Sequence, residues 1–127
     1  MAINTSPIYT KARLLSSGQV TTLNPYRTST NGTRLQLHTS GSDGDEAAFL
    51  VLQAIGPTAP DVIRLWLYNT STTLLMQEIA VPQTSGEPLW RMELPTGFGL
   101  PAGYRLELST HNGQTYNAFL FAGSYTA

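Results

Sequence analysis

Apolar residues along this chain come in short segments that alternate with polar ones and stop at Gly, Pro, Asn or Asp turns. In VIRLWLY (62–68), Ile63, Leu65 and Leu67 make one row and Arg64, Trp66 and Tyr68 the other. In GYRLELST (103–110), Tyr104, Leu106 and Leu108 oppose Arg105 and Glu107, and LWRMELP (89–95) behaves alike. A period of two marks a strand with one buried and one wet face. No segment sustains a helical period.

The pattern predicts about eight strands, near 11–15, 33–39, 47–56, 62–68, 73–82, 89–94, 103–110 and 115–125. Asn31-Gly32 is a strong turn signal because both residues tolerate positive φ. AAFLVLQAIG (47–56) is apolar on both faces, which predicts a central strand covered on both sides. Phe98 and Leu100 act as plugs in a long turn, and His111-Asn112-Gly113 predicts a hairpin between the last two strands. Strands this short, with such brief connections, leave no room for helical crossovers. The expected fold is all-β, an antiparallel two-sheet sandwich of jelly-roll or immunoglobulin-like topology, with a closed barrel as the alternative. Leu35, Leu37, Phe49, Val51, Ile63, Leu65, Leu67, Met92, Leu106, Leu108 and Phe119 are the expected core. Residues 1–10, polar with spaced apolar positions and Pro7, read as an N-terminal arm; 11–127 read as one domain.

Composition narrows the function. At 127 residues the chain can bury a real core, yet only 12% of it is charged, about half the usual share. A weakly charged surface repels neighbours weakly and suits a protein packed against others. The net charge is −1, with one lysine, Lys11, and scattered arginines. No basic stripe neutralises phosphates, so nucleic acid is not an expected partner. The absence of cysteine removes disulfides and thiolate chemistry and suits folding in a reducing cytoplasm. No apolar run has signal-peptide or membrane-spanning length, so no membrane partner is expected.

Candidate chemistry is sparse. His38 lies on the polar row of its strand and His111 in a turn, with no further ligands at metal-binding spacing. Asp43, Asp45 and Glu46 share a loop but fall short of a calcium site and read as a solvated acidic turn. Serines are many, but none sits in a G-x-S-x-G elbow, and Ser109 and His111 are only sequence neighbours. Glu78, Glu93 and Glu107 sit on polar strand rows. The expectation is no catalytic, cofactor-binding or metal site. The expected interface residues are Ile3, Ile8 and Tyr9 of the arm and the outward row Arg64, Trp66 and Tyr68, since Trp, Tyr and Arg are enriched at interfaces. A sugar-stacking platform is the alternative use of that row.

Several segments together resemble a family of small, largely uncharacterised tailed-bacteriophage and prophage structural proteins. They are TNGTR (30–34), LHTSG (37–41), IRLWLY (63–68), LLMQEIAVP (74–82), LPAGYRLELSTHN (100–112) and TYNAF (115–119), in the same order. The resemblance spans about residues 28–125 and brings no catalytic residues. It implies a non-enzymatic virion component assembled in the host cytoplasm. That component is a capsid decoration (cement) protein on the major capsid protein, as a dimer or trimer, or else a neck, tail or fibre module. A small hydrolase on a sandwich scaffold is the remote alternative.

Overall fold

Strands form where the alternating segments lie. The computed structural model describes residues 12–21, 23–27, 33–83, 89–93 and 99–124, with backbone alone at 12 and 89–93. The strands are β1 (Ala12–Val20), β2 (Leu35–Thr39), β3 (Asp45–Ala54), β4 (Asp61–Tyr68), β5 (Thr73–Val81), β6 (Leu89–Glu93), β7 (Gly99–Leu100), β8 (Arg105–Thr110) and β9 (Tyr116–Ser124). No helix occurs among the described residues. The arm, with Ile3, Ile8 and Tyr9, and the Asn31-Gly32 turn lie outside them.

Two antiparallel sheets result, stacked as a sandwich. The first runs β1-β9-β3-β6, with the short β7 pairing β3 beyond β6; the second runs β2-β8-β4-β5. The β4–β5 pair is a tight hairpin. Asn69 Oδ1 accepts the Ser71 and Thr72 amides, and Thr70 sits at φ 73° in the left-handed region. The expected β8–β9 hairpin does not form. β8 pairs β2 and β4, whereas β9 pairs β1 and β3, so the chain passes from one sheet to the other at residues 111–115. Asp61 and its neighbours hold that passage. Asp61 Oδ1 accepts the Asn112 amide at 2.9 Å, Pro60 O accepts from Asn112 Nδ2, and Ala59 exchanges two hydrogen bonds with the Gln114 side chain. Local turn chemistry marks the bend, but these distant partners choose its direction.

Leu37, Ile63, Leu65, Leu106 and Leu108 of the second sheet meet Leu50, Leu52, Ala54, Tyr116, Ala118 and Leu120 of the first. Leu35 and Leu67 pack at the margin. Phe49, Val51 and Phe119 belong to the opposite face, which corrects their expected place in the core. The side chain of Met92 lies outside the described residues. β3 and β9 carry apolar residues on both faces, so alternation sets no phase there, and ring size points to the wrong row. The bulge at Ala48 also breaks parity: Asp45 and Ala47 face inward before it, Leu50, Leu52 and Ala54 after it. The outward face of β3 is only partly covered, not sheathed as expected.

The phase of β3 is testable by urea denaturation. Leu50→Ala is expected to cost about 2–5 kcal/mol, as for other buried leucines. Val51→Thr, one residue along on the outward face, is expected to stay within about 0.5 kcal/mol.

Candidate functional site

Three groupings of polar or aromatic side chains hold what chemistry the described residues offer. The first closes one open side of the sandwich. Ser16 on β1, His38 on β2 and Asp45 on β3 form a chain: Ser16 Oγ lies 2.6 Å from His38 Nδ1, and His38 Nε2 lies 2.8 Å from Asp45 Oδ2. Asp45 Oδ2 also accepts the Gly41 amide at 3.3 Å, while Oδ1 is buried without a hydrogen-bond partner. A carboxylate only accepts, so Nε2 carries a proton, and in the neutral imidazole Nδ1 is then the acceptor for the Ser16 hydroxyl. His38 and Asp45 are both buried.

This grouping overturns two expectations. His38 does not stay on the polar row of β2, because a bulge between Gln36 and His38 turns it inward behind Leu37. Asp45 is no solvated turn residue; it opens β3 facing the core. Neither bulge leaves a local signal, and Ser16 joins only because β1 and β2 are the facing edge strands of the two sheets.

A serine, a histidine and an aspartate in series are the parts of a nucleophilic centre. Here Ser16 points between the sheets, as its register partner Leu120 does. A cleft of about 340 Å³ opens on the opposite face of the same sheet, lined by Arg13, Ala48, Phe49 and Phe121. The described geometry therefore makes the chain an inter-sheet tie. Among the described residues no cluster of three or more His, Asp or Glu side chains is arranged to hold a metal ion.

The second grouping covers the outward face of the second sheet. Arg64 and Trp66 do lie opposite Ile63 and Leu65, as alternation requires, but they are not open surface: Arg64 is 3% exposed and Trp66 fully buried. This corrects the expected outward row. The segment after β1 lies against it. Asn24 donates its amide to Thr110 O, and its carbonyl accepts from Arg64 Nη1 at 3.1 Å. Arg64 Nε meets Glu78 Oε2 at 2.9 Å, and Nη2 points at His111 Nδ1. Trp66 Nε1 donates to Ser109 Oγ at 2.9 Å, and the Arg34 guanidinium lies 5.1 Å from the indole centroid. Arg34 and Arg105 flank the buried Glu107, and Arg105 also stacks 3.9 Å over the partly buried Tyr68. Arg64, Trp66 and Tyr68 are thus engaged within the chain, and the Trp66 ring presents no open face.

The third grouping lies on the outward face of the first sheet, where the sequence reading places no surface. The Phe49 and Phe121 rings stack with centroids 4.5 Å apart. Leu15, paired with Phe121 across β1–β9, is 60% exposed. Val51 and Phe119 continue the apolar band one row along. The sequence signal for it is the doubly apolar run of β3, which means either a second cover from the same chain or a face kept for a partner.

With these sites in view, comparison with known proteins adds no assignment: neither the models of known protein families nor the curated proteins contain a match to this chain.

Titration distinguishes the Glu78 contact of the second grouping from the Tyr116–Asp61 pair at the sheet-to-sheet passage. The Arg64 guanidinium, hydrogen-bonded to it, holds the Glu78 carboxyl below its ordinary value; desolvation opposes this, and Arg27 adds to the lowering. Stability from this contact is present above the ordinary carboxylate range and is lost as pH falls through the depressed value. Burial, then the Asp61 carboxylate hydrogen-bonded at 3.0 Å, pushes the Tyr116 phenol far up. Stability from Tyr116 is therefore complete below about pH 10 and declines as pH rises beyond it. Glu78→Gln is expected to flatten the acid limb of a pH–stability profile, and Tyr116→Phe the alkaline limb. In the inter-sheet tie, His38→Leu leaves a buried carboxylate short of its main donor and is expected to cost about 1–3 kcal/mol by urea denaturation, more than Ser16→Ala.

Proposed function

We propose that this chain is a non-enzymatic structural protein of a tailed-bacteriophage virion, a capsid decoration protein that braces subunits of the major capsid protein. The observation that carries the reading is the outward aromatic face of the first sheet. Leu15, Phe49, Phe121, Val51 and Phe119 form a contiguous apolar band on a chain with few charges to keep copies apart. Leu15 and Phe121 are the exposed members and Phe49, Val51 and Phe119 are partly buried beside them; exposed apolar surface gathered in one patch marks an interaction site. The remaining reactive groups support the same reading, since the Ser16–His38–Asp45 tie and the arginine–glutamate layer are spent on joining elements of the fold. The resemblance of the strand-and-turn segments to phage structural proteins supplies the setting. A neck, tail or fibre position uses the same face against a different neighbour.

Particles lacking this protein, mixed with purified chain, test the reading by occupancy. Phe121→Ser is expected to weaken attachment by about 2 kcal/mol or more, the loss typical of an interface anchor, with the sandwich still folded. Full occupancy by this variant means that the aromatic face is not the site of attachment. A second reading, acyl transfer at Ser16 with His38 as base, is favoured only by the 2.6 Å contact. A serine-directed fluorophosphonate decides it: the proposed role predicts no labelling, and labelling of wild type but not of Ser16→Ala would instead establish the nucleophile.

A further inference from the structure

We infer that Asn112-Gly113 is a guarded deamidation site: the fold needs this chemically labile pair at the sheet-to-sheet passage and holds it in a form that does not react. Each residue is required for a separate reason. Gly113 sits at φ 73°, where an L side chain is strained, and a Cβ there would meet the Leu23 Cβ at 3.2 Å. Asn112 supplies a donor that Pro60 O accepts at 2.6 Å, while its backbone amide donates to Asp61 Oδ1 at 2.9 Å. An aspartate at this position has no such proton to give and brings a second carboxylate to the loop that holds Asp61. The passage therefore selects Asn followed by Gly, the pair in which no side chain shields the backbone nitrogen from the carboxamide.

The reaction open to this pair needs only water. Gly113 N gives its proton to hydroxide and attacks Asn112 Cγ. The Cγ–Nδ2 bond breaks, and Nδ2 leaves as ammonia after taking a proton from water, which regenerates the hydroxide and closes a five-membered succinimide. Water then opens the ring at either carbonyl, giving an aspartyl or an isoaspartyl link; nothing is oxidised or reduced. Both reacting groups are engaged in the fold. The Gly113 N–H donates to Thr110 Oγ1 at 3.0 Å, which holds its proton and turns the nitrogen toward the end of β8. The carboxamide that must leave is tied to Pro60 O. Gln114 exchanges bonds with Ala59 and reaches Asp61 Oδ2 and the Tyr116 hydroxyl, keeping the two loops together around these atoms. Reaction therefore waits for local opening at residues 111–115. Its product cannot restore the closed form, because the donor to Pro60 O is gone and a negative charge stands near Asp61. The passage thus carries a one-way chemical record of its own opening.

Peptide mapping by mass spectrometry tests this on the full chain, kept native or unfolded in urea in the same mildly alkaline buffer. Asn31-Gly32, read in the unfolded samples, gives the rate of the same dipeptide in an open chain. Asn112 is expected to deamidate at that rate in urea and about tenfold or more slowly in the native protein, since the native rate follows the open fraction. Gln114→Ala, which touches neither reacting group, is expected to speed the native reaction while circular dichroism shows the sandwich folded. Thr110→Val, which removes the acceptor of the Gly113 proton, is expected to do the same. Asn112→Asp, which mimics the product, is expected to unfold at a lower urea concentration than wild type, and failure of this variant to fold is the same result in stronger form. A native rate equal to the unfolded rate, or a native rate unmoved by both Gln114→Ala and Thr110→Val, overturns the guard. An Asn112→Asp chain as stable as wild type overturns the need for a carboxamide at the passage.

Discussion

The buried hydrogen bond from His38 to Asp45 is the contact on which this sandwich turns. It joins the second sheet to the first from the inside, and Ser16 extends it to the edge strand β1. Through the middle of the sandwich the sheets are held by aliphatic rows, which attract but tolerate sliding. A polar pair in an apolar setting tolerates neither loss nor displacement, since each partner left alone keeps its desolvation cost. The pair therefore sets which strand faces which at this side. Both strands need a bulge, near Leu37 and at Ala48, to satisfy it while their other residues keep to the core.

The opposite end of the molecule repeats the principle with different groups. Asp61 accepts from the Val62 and Asn112 amides, the Gln114 side chain and the Tyr116 hydroxyl. A single carboxylate thereby steers the chain from the second sheet into the first. Outside the second sheet, arginines and glutamates take the place of a third layer. Buried ion pairs are poor sources of net stability, but removing one partner is costly, so such a layer fixes the segment around Asn24 in one place.

The consequence for function is a division of faces. One outward face is consumed by the chain itself, through Arg64, Trp66 and Arg34. The other leaves Phe121 and Leu15 exposed, with Phe49 stacked on Phe121. A rigid two-layer scaffold presenting one such face is suited to bracing neighbours, because binding then requires little ordering of the backbone.

Alternation along the chain by itself determined the all-β class, the approximate position of most strands and the inward row Ile63, Leu65, Leu106 and Leu108, because in those strands polarity and burial have the same period. It could not determine β3 and β9, where both rows are apolar and only the opposing sheet decides which is covered. It placed Arg64 and Trp66 on the correct face, yet the groups that engage them there, Asn24 on Arg64 and Arg34 and Ser109 on Trp66, are distant in sequence. The Ser16–His38–Asp45 tie was likewise decided by tertiary structure alone. Period-two reasoning assumes an unbroken ladder, and two bulges break it at the positions where His38 turns inward and Asp45 meets it.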